Sequence, residues 1–206
     1  LGERAGVALP QTSMSEEDRK ERGIRDRLLE INKIAATYYY RQLRSENGKA
    51  GLDYLKKREL SDSTINSFGL GYATQSTGNL YKLLKDKGYD DDILKESGLF
   101  TYERGIHEKF WNRVIFPIMD INNKVIGFGG RVMGDAKPKY LNSPETRLFD
   151  KSRNLYGLNI ARTSRKPNMI ICEGYMDVIS MHQAGFNQAV ASLGTALTPG
   201  HARLLK

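Results

Sequence analysis

The stretch 169-MIICEGYMDVISMHQAGFNQAVASLGTALT-198 decides the fold. Met169 to Cys172 is a short apolar run of buried-strand type, and Glu173-Gly174 ends it. Tyr175 to Ala184 carries a helical pattern, Gln188-Ala-Val-Ala is a second apolar strand, and Thr198 opens another helix. Strand, helix, strand and helix within about 40 residues make a βαβ unit with a parallel strand pair.

Working back from there, Arg113-Val-Ile-Phe-Pro-Ile-Met and Lys124-Val-Ile-Gly-Phe-Gly-Gly alternate with period two. A turn at Asn122-Asn123 joins them into an antiparallel hairpin. Pro117 predicts an edge position or a bulge in the first strand. Ser143-Pro144 reads as an N-cap with proline at the first helical position, leading to Lys151 and Arg153. Further upstream the pattern is helical. Leu28, Ile31, Ile34, Ala35 and Tyr38 recur at three- and four-residue steps, so at least one of Tyr38, Tyr39 and Tyr40 faces the core. Asn47-Gly48 breaks that helix and GLDYLKKREL resumes as a short one. Ser61 is placed to cap the next, which Gly69 and Gly71 end. LYKLLKDKG and DDDILKESG are two more short helices closed by Gly88 and Gly98, with Asp90 to Asp92 as a cap rather than a metal site. Residues 1–22, with Pro10 and then alternating charges, read as a linker.

Composition narrows the class. The 206 residues suffice for one ordinary domain or two small ones. No apolar run approaches the ~20 residues that a membrane-spanning helix needs. The opening LGERAGVALPQTS lacks the apolar region of a secretory signal, which leaves a cytoplasmic expectation. One cysteine, Cys172, excludes an internal disulfide and, with three histidines, leaves no Cys/His zinc cluster. Cys172 itself reads as a packed thiol, and His107, His182 and His201 as structural. The net charge of +8 is uneven: residues 131–166 hold nine basic residues against three acids. Such a window is either a solvated basic face or a surface for a polyanion.

Three constellations carry chemistry. Glu173 stands at the carboxyl end of a strand, where ligands gather in parallel sheets, and Asp177 lies one helical turn on. The pair either holds a divalent cation or complements the helix dipole. Gly194-Thr195, at the next strand end, is either a phosphate-approaching turn or an ordinary β–α turn. Gly127-Phe-Gly129-Gly130-Arg131 leads to Lys139-Tyr140-Leu141-Asn142, where alternation puts Tyr140 and Asn142 on one face and Lys139 and Leu141 on the other.

The segments GFGGRVMGDAKPKYLNSPETRLFDKSRNLYGL and IICEGYMDVISMHQAGFNQAVASLGTALT together resemble the bacterial DnaG-type replicative DNA primases. LGERAGVALP, EINKIAATYYYRQL and GLDYLKKRELSDSTINSFGLGYA resemble the part of that family just after its zinc-binding domain. The resemblance implies an α/β fold: an α+β amino-terminal subdomain (residues 23–166), then the βαβ opening of a Toprim domain (residues 167–206), incomplete here. It implies primer synthesis on single-stranded DNA from ribonucleoside triphosphates with Mg²⁺ or Mn²⁺, through an RNA primer–DNA hybrid, beside a replicative helicase bound by another region. Glu173 would bind metal and assist catalysis, with Asp177 a secondary acid near the metal. Arg131, Lys139, Tyr140, Asn142 and Lys151 would guide template and nucleotide phosphates, and Arg113 would extend that surface. Zinc is expected only in a parent domain outside this chain. The family's Asp-x-Asp motif is not reached before Lys206, so the expectation is a fragment that does not polymerise alone. Lys109 and Trp111 stand where many family members carry arginines, which puts nucleic-acid contact there in question. The competing readings are a single-stranded nucleic-acid-binding module without catalysis and another Toprim enzyme, a nuclease or topoisomerase. KPKYLNSPE speaks against the last, because general Toprim resemblance does not supply it.

Overall fold

Glu16, Glu17 and Asp18 open a 28-residue helix, α1 (Glu16–Leu43). Carboxylates favour the positive end of a helix dipole, and a capping box completes the start. Ser15 Oγ accepts from Asp18 N at 3.0 Å, and Asp18 Oδ2 accepts from Ser15 N at 3.3 Å. Arg147 then pairs with Glu21 of this charged first section and with Glu96. The computed structural model describes residues 15–205. The linker reading of residues 1–22 is therefore corrected for residues 16–22, which are helix. Its first fourteen residues lie outside the described part.

Farther along α1 one stripe is buried: Leu28, Ile31, Asn32, Ala35, Tyr39 and Leu43. Of the three tyrosines, Tyr39 enters the core, edge-on to Phe128 (5.6 Å) and Phe110 (6.4 Å). Four short helices follow around this one: α2 (Lys49–Lys57), α3 (Asp62–Ser67), α4 (Asn79–Asp86) and α5 (Asp91–Glu96). Ser61 and Asp90 cap α3 and α5 through their side chains, as their spacing predicts. Gly69, Gly88 and Gly98 follow α3, α4 and α5 with positive φ, while Gly71 instead begins a strand.

That strand, β1 (Gly71–Ala73), edges a four-stranded antiparallel sheet. The hairpin supplies its centre, β4 (Arg113–Met119) and β5 (Val125–Val132), and β6 (Tyr140–Asn142) closes the other edge in the order β1-β4-β5-β6. β1 pairs no further than Ile115, so Pro117 lies past its reach, and the register shifts between Ile118 and Met119. The edge reading of Pro117 is thus met in an otherwise central strand, while the bulge falls just beyond it and Pro117 itself pairs in register with Phe128. A two-stranded ribbon, β2 (Phe100–Thr101) with β3 (His107–Glu108), stands apart.

No helix follows Ser143. Its N–H donates to Phe128 O (2.8 Å) and its hydroxyl accepts from Phe128 N (3.0 Å), so both groups prolong the β5–β6 ladder. A side chain used in this way is not free to cap. The 3-10 turn Lys151–Arg153 is capped by Asp150 instead, through Ser152 N (2.8 Å).

After α6 (Leu158–Ala161) come β7 (Ile170–Cys172), α7 (Tyr175–Gln183), β8 (Ala189–Ala191) and α8 (Pro199–Leu204). β7 and β8 are parallel, Ile170 opposite Ala189 and Cys172 opposite Ala191. β8 is fully buried, whereas β7 is only partly covered and Ile171 remains 44% exposed. The buried-strand reading of residues 169–172 is corrected accordingly. The βαβ unit shares one core with the rest: Tyr175, Val178, Ile179, Ala191 and Leu193 pack with the residues of α1 and the large sheet. Tyr156 also exchanges backbone hydrogen bonds with Ala191, at 2.8 and 3.1 Å. No helix among the described residues is long and apolar enough to cross a membrane.

Candidate nucleotide and template site

Glu173 and Gly174 turn the chain from β7 into α7, and their loop forms one wall of an open cleft of about 350 Å³. Asp177, Tyr140, Asn142, Arg58 and Gly194 line the same cleft. The carboxyl ends of β7 and β8 thus meet the outer edge of the large sheet, as strand topology favours for a ligand site. Of the residues singled out in sequence, Glu173, Asp177, Tyr140 and Asn142 come together here, and Gly194 joins them.

Their roles differ. Glu173 is exposed in the cleft. Asp177 Oδ2 accepts from Gly174 N (3.1 Å), so this acid already complements the start of α7, and one of its oxygens is committed. Tyr140 is 41% exposed, and its ring is inclined 30° to that of Tyr175, with centroids 6.4 Å apart. Burial first, with Tyr54 next, raises the Tyr140 phenol above its ordinary pKa, while Arg131 and Arg58 pull it back. Asn142 is engaged at both ends of its amide. Its Oδ1 accepts from Tyr175 Oη at 2.6 Å and its Nδ2 donates to Leu193 O at 2.9 Å. It holds the two walls together rather than offering a free amide.

The basic residues divide. Arg131 pairs with Tyr140 across the ladder and lies over the Tyr54 ring. Lys139 is exposed just before β6, and alternation turns it away from the Tyr140 face. Lys151 sits in the 3-10 turn, whose carbonyls are held by α8. His201 Nδ1 accepts from Thr198 N (3.2 Å), so its Nε2 carries the proton and donates to Lys151 O (2.8 Å). Thr198 Oγ1 donates to Ser152 O at 2.6 Å. Burial, then the Lys151 charge, hold the Lys109 ammonium below the ordinary lysine range. Trp111 donates Nε1–H to Gln75 O (2.8 Å) with 42% of its surface open.

Arg113 does not extend this surface. It is 6% exposed, and its Nη1 donates to Gly130 O (3.2 Å) and Pro138 O (2.9 Å). Burial lowers its pKa. The guanidinium ties a carbonyl of β5 to one in the segment before β6, so it supports the backbone beneath Lys139 and leaves no face for a polyanion. Arg58 was missed in sequence: it follows the last turn of α2 and looks like any basic helix end.

Hard oxygen donors suit Mg²⁺ or Mn²⁺, and Mg²⁺ commonly takes one or two carboxylates with water and substrate phosphates. Glu173 and Asp177 fit such a partial donor set. Among the described residues no group of three or more His, Cys, Asp or Glu side chains converges.

The chain is an α/β protein with a Toprim-type strand–helix–strand unit set against an antiparallel sheet, and comparison with known proteins makes the class specific. Residues 38–162 match the amino-terminal domain of the DNA primase catalytic core, and residues 168–206 match the Toprim domain. DNA primase of Clostridium acetobutylicum is 51% identical over 183 residues, covering 88% of this chain and 30% of that protein. DNA primase of Deinococcus radiodurans is 47% identical over 213 residues, covering 100% of this chain and 35% of its own length. A DnaG primase catalytic domain solved bound to single-stranded DNA superposes with a TM-score of 0.83 at 40% identity, over 89% of this chain and 58% of that one. The RNA polymerase domain of Mycobacterium tuberculosis DnaG gives 0.83 at 35% identity, over 87% and 60%. The chain belongs to the DnaG-type DNA primase family. It spans about a third of the length of those two primases.

Proposed function

We propose that this chain forms the front of a primase RNA-polymerase core, and that the whole protein makes short RNA primers on single-stranded DNA from ribonucleoside triphosphates. The observation that carries this reading is the convergence of Glu173 and Asp177 with Tyr140 and Arg58 in one cleft. Acids and bases there face one ligand that needs both, a metal-bound triphosphate. A divalent ion, when bound, neutralises charge developing between the attacking hydroxyl and the pyrophosphate leaving group. Glu173 and Asp177 would hold it, Glu173 with two oxygens that take no hydrogen bond among the described residues and Asp177 with the one that Gly174 leaves.

The chain's own groups do the rest. Arg58 meets phosphate oxygens at the cleft mouth. The Tyr140 face offers a stacking surface that accepts any base, which a template of arbitrary sequence requires. Lys139 and Lys151 add sequence-independent affinity along the backbone of the strand. Asn142 and Tyr175 keep the metal wall and the stacking wall in register. With two carboxylates lining the cleft, the 206-residue chain by itself is expected to bind but not to polymerise.

The test is Glu173→Gln in the full-length primase that contains this chain. Losing several kcal/mol of charge stabilisation should cut primer synthesis on the order of a hundred-fold or more. Single-stranded DNA affinity should change little. Undiminished synthesis would overturn the assignment.

A further inference from the structure

Tyr54, on α2, has two arginines against one ring. The Arg131 guanidinium carbon is 4.1 Å from the ring centroid and that of Arg58 is 5.6 Å away. Among the described residues neither arginine pairs with a carboxylate. Arg131 donates through Nη1 to Val132 O at 2.8 Å, and its Nε is buried with no partner among the described residues. The Tyr54 hydroxyl is buried without a partner as well. Arg131 is thus tied by one backbone hydrogen bond and by the Tyr140 phenol, and the Tyr54 ring face lies against its guanidinium. The negative face of an aromatic ring attracts guanidinium ions and offsets part of the repulsion between two of them.

We propose that Tyr54 is a positioning residue that holds Arg58 and Arg131 beside the cleft through its aromatic face, ready for the phosphates of nucleotide or template. The inference rests on the phosphate-binding reading above and deepens it. A carboxylate in the same place would also fix the arginines, but it would neutralise the charge meant for the ligand. A ring anchors them and carries no net charge to compete with phosphate. If Tyr54 were only packing, an apolar side chain of similar size would serve equally well.

The experiment compares Tyr54→Phe, Tyr54→Trp and Tyr54→Leu by the affinity of the chain for a fluorescent oligothymidylate, with Arg131→Ala as reference. Phenylalanine and tryptophan should keep affinity within about two-fold, and leucine should weaken it about three- to ten-fold. The Arg131 Nε–Hε proton should stay protected from exchange with solvent in Tyr54→Phe and Tyr54→Trp and should exchange faster in Tyr54→Leu. Thermal unfolding checks that the leucine variant folds, and Tyr54→Met replaces it if it does not. Full affinity in the leucine or methionine variant while Arg131→Ala binds weakly would overturn the role of Tyr54 and spare the cleft. An unsubstituted chain that does not bind oligothymidylate would instead sink the phosphate reading, and this inference with it.

Discussion

The Tyr175 hydroxyl donates to Asn142 Oδ1 at 2.6 Å, joining the first residue of α7 to the last residue of β6. Tyr175 also stacks on Phe116, with centroids 4.9 Å apart and planes 6° from parallel. Because Glu173 lies two residues before Tyr175, this contact sets where the acidic loop stands against the sheet.

Tyr175→Phe should keep the stack and lose the hydrogen bond, leaving Asn142 Oδ1 short of a donor. A loss of about 1–2 kcal/mol in urea unfolding is expected. Gly129→Ala should act on the same contact from the other side, since a Cβ on Gly129 would overlap the Tyr175 ring. Overpacking of this kind costs about 1–3 kcal/mol. If both variants unfold like the parent, Tyr175 does not join the two walls.

Arg113 and Lys139 should separate cleanly. Arg113→Met removes the guanidinium donor to the carbonyls of Gly130 and Pro138, and should lower stability by about 1.5–3 kcal/mol. Below its unfolding transition the variant should bind single-stranded DNA nearly as the parent does. Lys139→Ala should do the reverse, with unchanged unfolding and weaker binding. Its plot of log affinity against log salt should be flatter by about 0.7 for one lost phosphate contact. Equal effects of the two variants on binding would contradict the buried placement of Arg113.

Glu108 supplies a pH test. Its carboxylate accepts from Leu80 N (2.7 Å) and Tyr81 N (3.2 Å) at the start of α4. Burial raises its pKa, and these backbone hydrogen bonds offset only part of the rise. A carboxyl whose folded pKa exceeds its unfolded value binds protons more tightly when folded. Its contribution is fully present below the unfolded value of about 4.3 and is lost as pH rises through the higher folded value. Glu108→Gln keeps an acceptor and has no charge to desolvate. Relative to this variant, the parent should gain stability as pH falls from 7 toward 4, measured as the difference in urea midpoints. A difference that moves the other way would show that the hydrogen bonds outweigh burial.

The readings that succeeded rest on local physics. Alternation on either side of Asn122-Asn123 yields β4 and β5 because strand period and turn chemistry are set within a few residues. The apolar runs around Glu173 and Gly194 place the site loops for the same reason. The readings that failed concern groups taken by distant partners. Ser143 has a good capping sequence, but Phe128, fifteen residues back, uses both its hydroxyl and its N–H. Arg113 looks like surface charge until the carbonyls of Gly130 and Pro138 are brought over it. Residues 16–22 look like a charged linker because a helix held by a capping box and the long-range Arg147–Glu21 ion pair needs few apolar anchors there. Arg58 and Tyr54 could not be found from α2 alone, since only the fold brings Arg131 and Tyr140 to them.

The most direct test of the central claim is where a divalent ion binds. Mn²⁺ titrated into the isotope-labelled chain broadens amide resonances near its site. Gly174, Asp177 and Gly194 should broaden first, and Glu173→Gln should shift the effect to at least about ten-fold higher Mn²⁺. Broadening centred elsewhere, or unchanged in Glu173→Gln, would contradict a metal and nucleotide centre in this cleft.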